Sequence, residues 1–291
     1  MVNFRKLAVW AALFCFILFD LLPAHFSLQA WWVVGHGRIA EAAVRALPED
    51  LPEFFRQAGP ALGQMAGDPD LWKNPGTKHL RASEGPEHFL DLEDLGGNEI
   101  PEDRYQAIQL IIRLGKKPEK VGLLPHALMD SYEKLACCFH DLRERPDDPV
   151  RRWRCLVYAG VLAHYAGDCA MPLHTTRDYD GRIREGKPPL QKGIHARLDA
   201  FPEKHGISVE DIAKGLKLEA VENPWTRLLS EFRSSHRLVD EAYRLDQMGG
   251  FQEPGPESRA FVLGRCKAAA KFTAELWVAA WEKSKNLPKP Y

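Results

Sequence analysis

A cysteine framework is the first thing this chain lacks. Beyond residue 30 it has Cys137, Cys138, Cys155, Cys169 and Cys266, an odd number with no CxxC, and adjacent Cys137 and Cys138 are awkward to oxidise together. These spacings announce no disulfides, and most of the thiols are expected to be buried small hydrophobes. Charge of one sign is lacking too. The formal net charge is −1, with no basic tail or lysine-rich run, so long-range attraction to nucleic acid or an anionic membrane is not built in, although local patches remain open. Few stretches alternate apolar and polar residues with period two, which leaves a sheet as at most a minor ornament. There is no internal repeat, no low-complexity tract and no convincing interdomain linker.

A long apolar run is also missing, with one near-exception. Arg5 and Lys6 precede LAVWAALFCFILF, and FSLQA ends at Ala30. The run is shorter than the roughly 20 residues of a membrane-spanning helix, and Asp20 and Pro23 interrupt the residues after it. The pattern predicts a signal peptide over residues 1–30, cleaved near Ala30, and a secreted or periplasmic protein of residues 31–291 with Trp31 as its new N-terminus.

What is present is helical periodicity. GRIAEAAVRAL at 37–47 places Ile39, Ala42, Ala43 and Ala46 on one side, and similar apolar stripes run over 103–114, 123–142, 149–170, 225–246 and 257–284. Proline and glycine cluster at 66–88, 95–101 and 172–193, which read as long loops. The fold class expected is all-α: a single multi-helix domain with functional loops.

The helix at 149–170 has Trp153, Val157, Gly160, Val161, His164 and Asp168 spaced three or four apart, so they share one apolar face. A buried aspartate must shift its pKa, find a partner or bind a metal. Pro172 ends the helix, so His174 falls in the turn beyond it. In GIHARLDAF, His195 and Asp199 are again four apart. Two such pairs and a third histidine suit a metal held by imidazole and carboxylate, and His174, His195 and Asp199 would leave room for water. Upstream lie His36 in WWVVGH, Asp68 in MAGDPDLW and His88 in EHFLDLED, with Asp70 and His79 as rivals on composition.

WWVVGHGRIAEAAVRAL, AGDPD, EHFLDLED, HYAGDCAMPLH and GIHARLDAF occur in this order. Together they resemble the trinuclear zinc hydrolases that include single-strand-specific nucleases of the S/P type and bacterial phospholipase C. The resemblance spans Trp31 to about Phe201. It implies three zinc ions in a cleft of helices and long loops. One would take Asp68, His88, His164 and Asp168; a second, His174, His195 and Asp199. The third would take the amine and carbonyl of Trp31, His36 and the far oxygen of Asp168, which then bridges two ions. It further implies hydrolysis of a phosphate ester by metal-activated hydroxide, with Asp68 as a base-like helper.

The leading expectation for substrate is single-stranded DNA or RNA, or a 3′-nucleotide, cleaved by a secreted nuclease or nucleotidase, with Phe89 stacking a base and Asp91 accepting from base-edge donors. The alternative is a phospholipase C that cleaves phospholipid head groups; a non-catalytic metal-stabilised binding protein is a more distant one. No stable protein partner is implied. Against a simple nuclease, Leu71 stands three residues after Asp68, where nucleases would offer arginine to phosphate, with Lys73 nearby as a substitute. The nucleases' glycine-rich segment between the last two zinc histidines is replaced by TTRDYDGRIREGKPPLQKG, a modestly basic loop.

Overall fold

In the computed structural model, residues 33–288 are described. Their main helices in chain order are α1 (Val33–Val44), α2 (Gly59–Met65), α3 (Asp68–Trp72), α4 (Lys78–Glu84), α5 (Arg104–Arg113), α6 (Leu124–Glu144), α7 (Pro149–Ala170), α8 (Ile194–Asp199), α9 (Pro224–His236), α10 (Val239–Gln247) and α11 (Pro256–Lys283). The sheet among the described residues is one antiparallel hairpin, β1 (Arg182–Arg184) with β2 (Lys187–Leu190). The all-α expectation is met.

Local chemistry fixes where the long helices start. Asp148 accepts from the Val150 and Arg151 amides ahead of Pro149, and Asn223 accepts from the Thr226 amide ahead of Pro224. Each cap satisfies amides that have no partner inside the helix, and proline's fixed φ suits the first turn. The short connection 145–148 folds α7 back along α6, and α7 also packs on α1, α2, α9 and α11. From Cys155 to Ala170 nearly every residue of α7 is buried, as a helix surrounded by others requires.

Large side chains fill the space between these helices. Phe55 meets Phe139 and Trp277 edge-to-face at 5.3 and 5.4 Å, and the Trp277 indole N–H donates to the Ala159 carbonyl. Truncating such an aromatic costs about 3–5 kcal/mol, so this end of the domain is a rigid base for the opposite end of α7.

Three sequence expectations are corrected. Trp153 is exposed, so the inward face of α7 begins only beyond it. The stripe at 225–246 is broken by a turn at Arg237–Leu238 into α9 and α10. The loop 66–88 contains α3 and α4, and 172–193 contains the hairpin. All five cysteines among the described residues are free thiols, four of them buried.

Candidate metal centre

Three short structures deliver side chains to the inner end of α7. The proline-ended turn over Pro172–Thr175 comes directly after α7 and carries His174 inward. The Gly85–His88 turn continues α4 and ends in His88. Helix α1 crosses α7 at Gly167, where an added Cβ would lie 2.7 Å from His36 Nδ1. Glycine is needed there so that a fully buried imidazole can sit against the helix backbone.

His36, His164, Asp168, His88, His174 and Asp199 are all buried; His195 is partly so. Their ligand atoms form three groups, each within 4.8 Å: His36, His164 and Asp168; Asp70, His88 and His164; and His174, His195 and Asp199. Asp168 lies at the junction. Its carboxylate oxygens are 3.1 Å from His88 Nδ1, 3.2 Å from His164 Nε2, 3.0 Å from His174 Nδ1 and 3.5 Å from His36 Nε2.

Most of the histidines are tethered from outside. His164 Nδ1 is 2.8 Å from the Ala66 carbonyl, and His174 Nδ1 is 2.8 Å from the His88 carbonyl. A carbonyl only accepts, so those nitrogens carry a hydrogen, and each ring turns its Nε2 the other way. These Nε2 atoms face inward: His164 Nε2 meets His88 Nδ1 at 2.9 Å, and His174 Nε2 meets His195 Nε2 at 3.0 Å. His88 turns its other nitrogen to the Glu84 carboxylate at 3.4 Å, and Glu84 also accepts the Tyr165 hydroxyl. Metal-ligating histidines are oriented by such outer partners.

Electrostatics divides the histidines: against burial, Asp168 raises the pKa of His164 and His174. Burial, then His164, lowers the His36 pKa to about 4; burial, then His174, lowers that of His195 to about 3. Both are held as neutral imidazoles, the form that binds metal. Burial opposes ionisation of Asp168, yet His174 and His164 hold its pKa well below the usual value. Neither Asp70 oxygen, nor Asp168 Oδ1, accepts a hydrogen bond of good geometry despite burial. Facing imidazole nitrogens and under-satisfied carboxylates fit multivalent cations, which would satisfy both at once.

Asp68 is the site residue on which sequence reading and structure differ. It lies half-buried at the start of α3 and belongs to none of the three groups; Asp70, the rival, takes the place beside His88 and His164. Residues two apart on a helix point about 200° apart, so only one of the pair faces the cluster. Burial raises the pKa of Asp68, whereas that of Asp70 is lowered because His164 and Lys73 outweigh its burial. With Asp70 in place, the residue three further on is Lys73. Its ammonium is 2.6 Å from Asp70 Oδ1 and 3.4 Å from His88 Nδ1. His79, the other rival, is exposed.

Of the remaining sequence candidates, Trp31 lies outside the described residues. Phe89 is half-buried, with its carbonyl accepting from the Leu124 amide. Asp91 is buried, and burial, then Asp94 and Glu93, raises its pKa to about 7. Sequence reading missed Glu84 and Tyr165. A signal for Glu84 was available: it precedes His88 by four residues, the spacing that picked out His164 with Asp168 and His195 with Asp199.

No protein-family model matches the chain, and no curated protein matches it. Among solved structures it is similar to the alpha toxin from Clostridium absonum, with a TM-score of 0.46 and 15% identity, covering 88% of this chain and 66% of that one. It is also similar to the Clostridium perfringens alpha-toxin isolated from avian strain SWCP, with a TM-score of 0.46 and 14% identity, covering 87% and 64%. This chain spans about two thirds of the toxins' length. Likeness of this degree decides nothing about activity.

Proposed function

We propose that the chain is a secreted, zinc-dependent phosphoesterase. The observation that carries this reading is the set of inward-facing imidazole nitrogens around Asp168, tethered from outside by Ala66 and His88 carbonyls and by Glu84. Zinc suits an imidazole and carboxylate donor set without thiolate. The residues that would hold it are His36 and Asp168, with Trp31 once residues 1–30 are removed; Asp70, His88, His164 and Asp168; and His174, His195 and Asp199. When bound there, zinc lowers the pKa of a coordinated water to about 7 and draws charge from phosphate oxygens. Lys73, a flexible cation already in reach of Asp70 and His88, binds a phosphate oxygen in this reading.

For the substrate, the surroundings favour a phospholipid over the nucleic acid first expected. Leu71 comes directly after the ligand Asp70, while Ile183 and Leu190 lie between the ligands His174 and His195; all three aliphatic side chains are exposed. Three exposed aliphatic groups suit acyl chains, whereas nucleotide sites present aromatic faces, of which Tyr179 against His195 is one. Phe89 is half-buried, and Asp91 is buried beside Asp94 and Glu93, which leaves neither side chain openly presented to a base.

The test is a comparative assay of protein processed to Trp31. Phosphatidylcholine vesicles, single-stranded DNA, RNA and a 3′-nucleotide would each be offered with and without chelator. Chelator-sensitive release of head group is the expected result. Cleavage of nucleic acid alone would restore the nuclease reading, and zinc binding without hydrolysis of any ester would overturn the enzymatic one.

A further inference from the structure

Between His174 and His195 the chain builds the β1–β2 hairpin, and that hairpin is held firmly at its root. The Tyr243 hydroxyl donates to the Asp178 carbonyl and accepts from the Gly181 amide. Asp180 accepts from the Gly193 amide at the other end of the segment. Gln191 is held at φ 58°, a left-handed conformation costly for a residue with a side chain. Its amide group donates to the Tyr243 carbonyl and to Asp246, which holds it there. The Arg182 guanidinium lies over the Tyr243 ring and pairs with Asp240 and Asp178, and Arg177 pairs with Asp94.

Beyond that root the chemistry changes. Ile183 is 62% exposed and Leu190 48%, although both are aliphatic residues in strands. Arg184, Lys187 and Lys192 are exposed, and none of the three makes an ion pair with another described residue; Glu185 is the one acid at the turn. Tyr179, 54% exposed at the root, sets its ring edge-to-face with His195, 5.7 Å between centroids. The root cations are therefore paired with acids of the protein, while the distal cations have no acidic partner among the described residues, Arg184 donating only to the Pro188 carbonyl across the hairpin, and the aliphatic side chains face solvent.

We propose that this hairpin docks the protein onto the surface of a phospholipid bilayer containing anionic lipid, and so delivers lipid to the cluster beside it. The inference rests on the phospholipid reading above. Aliphatic side chains interspersed with lysine and arginine complement that surface, since the apolar groups enter the headgroup boundary and the cations meet the lipid phosphates. Each cation near an anionic surface strengthens binding roughly fivefold. The near-neutral charge of the whole chain makes a local patch necessary if such a surface is to be met at all.

The experiment uses the zinc-loaded full protein. It measures co-sedimentation with phosphatidylcholine vesicles with and without phosphatidylserine, and turnover of a soluble chromogenic phosphodiester. Wild type is expected to sediment with the anionic vesicles, less so at high salt. Arg184→Glu with Lys187→Glu should weaken sedimentation roughly tenfold or more, with turnover of the soluble ester within about twofold of wild type, and Ile183→Ser with Leu190→Ser should weaken sedimentation likewise. Variants that sediment like wild type would overturn docking by the hairpin, as would wild type that stays in solution while cleaving the soluble ester. A hairpin needed for binding single-stranded DNA but not vesicles would replace the bilayer with a polyanion. Absence of turnover on every phosphate ester would instead count against the phosphoesterase reading itself.

Discussion

The segments on either side of His174 are built on opposite principles. From His164 to His174 every residue is buried, and both imidazoles are placed by carbonyls from other parts of the fold. From Arg182 to Leu190 almost everything beyond the root is exposed, and the fold supplies only an anchor. In the first segment a methyl group or one charge matters to the whole cluster. In the second, side chains can change freely as far as stability is concerned, and what changes is the surface that is met. The comparison separates assembly of the site from its presentation to substrate.

The largest effect is expected at the junction. Asp168→Asn removes the carboxylate that all four surrounding histidines approach, and should lose roughly two of three zinc ions, measured on protein after gel filtration. Full zinc content would remove Asp168 from its bridging role. Gly167→Ala comes next. Its new Cβ would press on His36 Nδ1, and His36 is fully buried. A loss of about 1–3 kcal/mol in thermal unfolding is expected, together with a lower zinc content if His36 is a ligand as proposed. Unchanged stability would show that the buried segment is more forgiving than the comparison requires.

Glu84→Gln probes the outer tether of His88. Zinc affinity should fall about 10- to 100-fold in competition with a chromogenic chelator, while Tyr165→Phe, which leaves the carboxylate in place, should fall less. Equal affinity in all three proteins would reduce Glu84 to packing. Asp91→Asn leaves the metal centre alone and concerns pH. The folded pKa of Asp91 is raised from 3.8 to about 7, so the native state holds a proton that the unfolded chain releases near pH 4. Its stabilisation is therefore complete below pH 4 and is lost as pH rises through 7. The asparagine variant should flatten that part of the stability curve and be the more stable protein above pH 7, by a few kcal/mol at most at about 1.4 kcal/mol per unit. Metal-free protein is the sample to use, and parallel curves for variant and wild type would contradict the shift.

Much of the centre was legible because helical spacing is a strong rule. His164 and Asp168 sit four apart on a helix that the sequence already marked, and His195 and Asp199 repeat the spacing, so each pair's convergence came from 3.6 residues per turn. Pro172 marked the turn that carries His174. The choice between Asp68 and Asp70 was not legible, since both lie in one short polar stretch and the direction each faces depends on how α3 is seated against α7. Glu84 was legible in principle from its spacing to His88, whereas Tyr165 was hidden because it reaches Glu84 across 81 residues of sequence.

The sequence by itself determined that the chain is helical, that its charge is close to balanced and that imidazoles and carboxylates recur at ligand spacing. Periodicity, composition and spacing are properties of the chain alone. Tertiary structure decided that His36 meets His164 across the Gly167 gap, that Asp70 rather than Asp68 joins His88, and that the basic segment 177–192 stands as an anchored hairpin with its aliphatic side chains in solvent. Each of these depends on which faces come together when the helices pack, and packing is settled by the shape and burial of the whole core.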